Sequence, residues 1–179
     1  MYAPQFTPLY RGFNFSNGFL TGGEDHYTLA GDTGLGNCGH AKAPPVRDAF
    51  IANKTASEWV GTYTGTRFAN AAVDYISQHP DGAPLFMYLA LHNTHAPLEA
   101  EPEDLALYTK FAAWKKQQTY YAMATAVDRT LGRVVAALKS KGMWDNTLLL
   151  VRVFARPAAA QCNRPRFAPY PPLHTHTLF

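Results

Sequence analysis

With 179 residues, 47% of them apolar and 16% charged, the chain has the length and composition of one globular domain, not of a disordered polymer. Its formal net charge of +3 does not mark a nucleic-acid binder. Up to Val151 there are 12 Lys+Arg against 13 Asp+Glu, and the excess comes from four arginines, with no acid, from Arg152 onward.

Cys38 and Cys162 are too few and too far apart for a disulfide framework or a zinc site. Met1 to Phe6 shows neither the basic nor the apolar region of a signal peptide. No apolar run approaches the roughly 18 residues that a membrane span needs. Asn14-Phe15-Ser16 and Asn53-Lys54-Thr55 have the glycosylation pattern, which also arises by chance. Compartment and oligomeric state are not legible from these features.

Residues 1–48 are rich in Gly, Pro and Asn and predict loops, with turns at Gly22-Gly23, Gly31-Asp32 and Gly34 to Asn37. From Thr64 to His79, Phe68, Ala71, Ala72, Tyr75 and Ile76 recur at helical spacing, and Pro80-Asp81-Gly82 ends the pattern. Leu85 to Leu91 is an unbroken apolar and aromatic run after Pro84, the pattern of a strand buried on both faces. The acidic stretch Glu99 to Asp104 predicts a loop leading into a short helical turn. A long helix follows over about 114–140, with Tyr121, Ala124, Val127, Leu131, Val134, Val135 and Leu138 on one face and Gly142 as its C-cap. Thr147 to Val151 reads as a second buried strand. Two strands joined by a long helix imply a parallel pair in an α/β layered fold.

Residues after Val151 show no helical or strand period. Five of the 13 prolines fall within 155–179. The expected division is therefore a domain over 1–153 and a Pro/Arg-rich, disordered tail over 154–179.

In open α/β sheets, ligand-facing residues gather at the carboxyl ends of the parallel strands. His92, Asn93, Thr94 and His95 occupy that place after the first predicted strand. His95 titrates near neutrality and could protonate a leaving group or bind an anion, or it could simply hold a loop before Pro97. At the end of the second strand Arg152 is the candidate, with a chance tail arginine as its plain alternative. Glu24, Asp25 and His26 are metal-capable types, but sequence neighbours rarely converge on one ion, and they read as loop and cap residues. His174 and His176 lack a carboxylate partner, and Cys38 lacks a Cys-His nucleophile signature.

Several segments resemble type I sulfatases, especially the arylsulfatase B-like branch. Thr7-Pro8-Leu9-Tyr10-Arg11-Gly12-Phe13 is similar to the family's Pro-x-x-Arg-Gly-Phe-Asp, and Gly18 to Tyr27 to its Gly-Tyr-Leu-x-Gly-x-Glu-Asp-Tyr-Tyr. Pro84 to Leu98 resembles the strand and active-site histidine, and Tyr121 to Thr147 the long helix and its exit. The ordered set covers about residues 1–151. It implies a partial alkaline-phosphatase-like α/β/α sandwich with mostly parallel strands, truncated at both ends, and sulfate-ester hydrolysis as the family activity. His95 is the one functional residue that maps, contacting the sulfate or assisting the leaving oxygen.

The family also implies a formylglycine, made from Cys or Ser in Cys/Ser-x-Pro-x-Arg, and a calcium ion held by carboxylates and an amide. Neither cysteine stands in such a motif, and Arg152-Val153-Phe154 occupies the place of the family's Asp-Asn-Gly. The paired aspartates and the Gly-Lys-Trp-His-Leu-Gly segment are expected before Met1. Val151-Arg152-Val153 can be encoded by a run beginning GTGCGTG, which resembles an intron donor, so the ends read as artefacts of gene structure. The chain alone is expected to be inactive. A non-catalytic anion- or partner-binding α/β module is the alternative, and a phosphodiesterase of the same superfamily a lesser rival.

Overall fold

The computed structural model describes residues 4–20, 22–31, 46–47, 49–52 and 54–152. The tail from 153 onward, Cys38, Cys162, His174 and His176 lie outside the described residues. Two short 3-10 turns, Pro4–Phe6 and Pro8–Arg11, open the chain, and the second closes on Gly12 at φ 97°. Five two-residue strands follow: β1 (Asn17–Gly18), β2 (Ala30–Gly31), β3 (Val46–Arg47), β4 (Phe50–Ile51) and β5 (Lys54–Thr55). They pair antiparallel, in the order β1-β4-β5 and as β2-β3. Loops with little regular structure were the expectation for this region, and these minimal ladders are consistent with it.

The two predicted helices are present. Helix α1 runs Thr64–Ser77 and buries Phe68, Ala69, Ala72 and Ile76, an i, i+4 stripe toward the interior. The N–H of Gln78 closes it on Asp74 and Ile76, and Pro80 and Gly82 then turn the chain. A one-turn helix, α2 (Pro102–Ala106), starts on a proline and carries Glu103 and Asp104 in its first turn, which suits the positive end of a helix.

Helix α3 (Lys115–Ser140) is the long one. Its buried stripe is Ala122, Met123, Ala126, Thr130, Val134 and Leu138, so the face predicted from Tyr121, Ala124 and Val127 is rotated by about one position. Thr130 explains the offset. Its polar identity hides it from an apolar period, yet its hydroxyl donates to the Ala126 carbonyl at 2.8 Å and can be buried. The helix ends as expected at Gly142, with φ 71°. The N–H of Gly142 donates to Lys139 and that of Met143 to Leu138, the paired bonds of a Schellman stop.

Helices α1 and α3 pack on each other through Ala72, Ile76, Val134 and Leu138. Leu85, Met87 and Leu89 of the extended segment close that core, while Leu89 and Leu91 continue onto a second cluster of Leu29, Ala49, Ala56, Trp59 and Phe68. A third cluster, Ala100, Ala122 and Met123, seats α2 against α3.

Burial of both strand-like segments on two faces is corrected by the structure. Along 84–91 burial alternates: the odd positions face the helices, whereas Phe86 and Tyr88 are each 77% exposed. Over 147–151, Leu148 and Leu150 are 84% and 82% exposed. Neither segment enters a ladder, and the ladders among the described residues are antiparallel. The physical reason is that α1 and α3 supply one apolar layer, whereas on the opposite side Phe13 reaches the Phe86 ring at 6.0 Å and leaves it largely exposed.

Candidate functional site

The extended segment delivers the chain into a loop, 92–99, whose first residue turns inward and whose fourth turns outward. His92 is buried and His95 exposed. The His95 N–H donates to the His92 carbonyl at 2.9 Å, which forms the turn. His95 Nδ1 lies 2.7 Å from the Ala96 carbonyl oxygen. A carbonyl can only accept, so Nδ1 carries the hydrogen and the lone pair of the neutral ring lies on Nε2. Gly23 allows this placement. A Cβ there would stand 3.2 Å from His95 Cε1 and 3.3 Å from Nδ1, tighter than ordinary packing.

Beneath His95 lies a column of stacked rings. His26 stacks on His92 with centroids 4.2 Å apart and an interplanar angle of 20°, and on Tyr63 at 5.1 Å and 21°. Phe19 flanks His92 at 5.0 Å. His26 is fully buried and well partnered: Nδ1 lies 2.9 Å from the Thr64 hydroxyl, Nε2 lies 3.4 Å from the His95 carbonyl, and its backbone N–H donates to Glu99 Oε2 at 2.8 Å. With the carbonyl as acceptor, Nε2 carries the proton and Thr64 donates to Nδ1.

Burial lowers the His26 pKa, opposed by the His95 carbonyl and by the Asp25 charge. Among the described residues neither ring nitrogen of His92 has a hydrogen-bond partner. Burial first, then repulsion from His26 and His95, pushes its pKa down to about 3. Both buried rings are therefore neutral at physiological pH.

Asp25 behaves as the cap residue expected from the sequence, its Oδ1 accepting the N–H groups of Tyr27 at 3.1 Å and Thr28 at 2.7 Å. Glu24 and His26 do not: both are buried and belong to the interior. Sequence reasoning placed Asn93 beside His95 but did not bring His26, Tyr63 and Glu99 to the same site. Hydrogen bonds that join positions 30 to 73 apart assemble them, and the one sequence signal near any of them was the Gly18 to Tyr27 motif.

Behind the loop, Arg129 of α3 gathers Glu101 at 2.5 Å, Glu103 at 3.0 Å and Asp104 at 2.7 Å. Glu101 also accepts from the Thr66 hydroxyl at 2.9 and 2.8 Å, which ties α1 to the same cluster. Asp104 is almost fully buried; burial raises its pKa, against the lowering effect of Arg129. Arg152, the other candidate, is exposed at the end of its extended segment. Among the described residues no group of three or more His, Cys, Asp or Glu side chains is arranged to hold a metal ion. The donor set described does not fit the calcium that the sequence resemblance implied.

An apolar extended segment packed on α1 and α3 thus leads into the loop that carries the exposed His95. The chain belongs to the sulfatase family, whose profile, described as Sulfatase, matches residues 6–151. It is 26% identical over 150 residues to arylsulfatase J of Mus musculus, covering 83% of this chain and 24% of that protein. Among solved structures it is similar to Ps i-CgsB, at 29% identity and a TM-score of 0.67, and to Ps i-CgsB in complex with k-i-k-neocarrahexaose, at 28% and 0.66. Each alignment covers 81% of this chain and 33% of the solved one. The chain thus spans about a quarter of the curated relative and a third of the solved structures. No helix of the described residues is long and apolar enough to cross a membrane.

Proposed function

We propose that residues 1–153 form the central, His95-bearing part of a sulfatase catalytic domain of arylsulfatase type, acting on sulfate esters. In that reading the architecture is an alkaline-phosphatase-like α/β/α sandwich in which 84–91 and 147–151 run parallel. The observation that carries it is the His95 imidazole. Its Nδ1–H is held by the Ala96 carbonyl, so Nε2 of this exposed residue carries the lone pair and, when it holds a proton, can donate to a sulfate or leaving-group oxygen.

The 179 residues contain no Cys-x-Pro-x-Arg or Ser-x-Pro-x-Arg for a formylglycine, and the described donors do not fit calcium. The chain by itself therefore binds the anion without turning over the ester. Titration of the 15N-labelled chain with inorganic sulfate tests this. His95 side-chain resonances are expected to shift saturably, and His95→Ala to abolish the effect. An aryl sulfate supplied with calcium should remain intact. The absence of a His95-specific shift would overturn the site, and turnover by the chain alone would overturn its inactivity.

The exposed Phe86, Tyr88, Leu148 and Leu150 favour a second reading, a non-catalytic partner-binding α/β module. A monodisperse, cooperatively folding chain with no sulfate response at His95 would support that module over the sulfatase reading.

A further inference from the structure

Loop 92–99 presents an exposed histidine, yet among the described residues the hydrogen bonds made within it do not join Asn93 to Glu99. The turn bond from His95 to His92 and the contact of His95 with Ala96 are both local. His26 reaches the loop at the His95 carbonyl and at the Glu99 carboxylate, and the hydroxyl oxygen of Tyr63 bridges Asn93 to Glu99 directly.

Tyr63 stands immediately before α1 and is buried. Its ring is fixed by stacking on His26 and by Tyr27, centroid to centroid 5.4 Å. The hydroxyl accepts from Asn93 Nδ2 at 2.8 Å and donates to the Glu99 carbonyl at 3.0 Å. One oxygen thus joins Asn93 to Glu99, on either side of His95 in the loop. The second hydrogen of Asn93 Nδ2 goes to the Met123 carbonyl at 3.2 Å, so the closure is referred to α3 as well as to α1. Gly65 makes room for the arrangement, since a Cβ there would come within 2.8 Å of Tyr63 Cε1 and 3.1 Å of Asn93 Oδ1. Burial raises the phenol pKa, so the hydroxyl keeps its proton and its donor role over the whole working range.

From this geometry we infer that Tyr63 is a positioning residue for His95: its hydroxyl clamps residues 93 and 99 and sets where the imidazole stands. The inference rests on the reading of His95 as the sulfate contact, but the clamp can be measured without sulfate. Tyr63→Phe keeps the stacked ring and deletes the clamp, leaving the part-buried Glu99 carbonyl without that donor. Tyr108→Phe is the comparison, because it removes a phenol that bonds the Thr125 hydroxyl at 2.7 Å, away from the loop.

Backbone amide exchange is the first readout. In Tyr63→Phe the His95 amide should exchange about ten-fold faster, the scale of one net hydrogen bond, while amides of α1 and α3 change no more than in Tyr108→Phe. The second readout is the sulfate titration at His95, expected to weaken by about ten-fold in Tyr63→Phe and not in Tyr108→Phe. Asn93→Ala removes the other half of the clamp and should show the same loop-confined exchange; it decides the matter if Tyr63→Phe does not fold.

Wild-type exchange at His95 in the phenylalanine variant, or acceleration spread evenly through the chain, would overturn the clamp. Loop-confined acceleration in a chain whose His95 ignores sulfate would retain the clamp as a loop closure and remove its functional meaning.

Discussion

Acid should destabilise this fold through His92, and the size of the effect follows from its burial. Both ring nitrogens lie inside the stack of Phe19, His26 and His95, without hydrogen-bond partners among the described residues. The folded state holds the imidazole neutral, with a pKa of about 3 against the ordinary 6.5. Above pH 6.5 the ring is neutral folded or unfolded, so its contribution is fully present there. As pH falls below 6.5 the unfolded chain takes up a proton that the folded chain refuses, and stability is lost until the folded pKa is reached. Each unit costs about 1.36 kcal/mol, so at about pH 4.5 the loss is about 2.7 kcal/mol, a roughly hundredfold shift in the folding equilibrium.

His92→Phe isolates this effect, because phenylalanine keeps a ring between Phe19 and His26 and cannot titrate. Urea unfolding of both proteins at about pH 7.5, 6 and 4.5 is the assay. The variant should equal or exceed wild type at the highest pH, since it removes unpartnered polar atoms from the interior. It should then gain about 2.7 kcal/mol on wild type by the lowest pH. Other titrating groups are common to both chains: His26 and Asp25 are shifted down, whereas Glu99 and Asp104 are shifted up. Parallel stability curves across this range would refute the reasoning.

Two further outcomes concern the helices behind the loop. Arg129→Met leaves Asp104, whose side chain is 2% exposed, buried without its cation; the arginine itself is 35% exposed, so the expected loss is about 2–4 kcal/mol at neutral pH. Urea unfolding should show that loss shrinking in acid as Asp104 protonates, and a change inside about 0.5 kcal/mol would contradict the assigned role. Gly65→Ala should destabilise by about 1–3 kcal/mol despite alanine's better helix propensity, because its Cβ meets Tyr63 Cε1 at 2.8 Å; thermal unfolding checks the sign.

The sequence by itself determined the elements whose causes are local. The apolar period of α1, the break at Pro80 to Gly82, the span of α3 and its stop at Gly142 all come from neighbours in the chain, and each was legible. The loop that carries His95 was legible too, because polar residues and Pro97 follow the apolar run there. Tertiary structure alone decided which side of α3 is buried, because Thr130 satisfies its hydroxyl on the preceding turn and so enters the core as a polar residue. It also decided that the runs ending at Leu91 and Val151 are covered on one face, since an apolar run reports what a segment can pack against and not what lies there. The stack of His26, His92 and Tyr63 could not be read at all. Its members come from three separate segments, and their burial and depressed histidine basicity exist only once those segments are packed together.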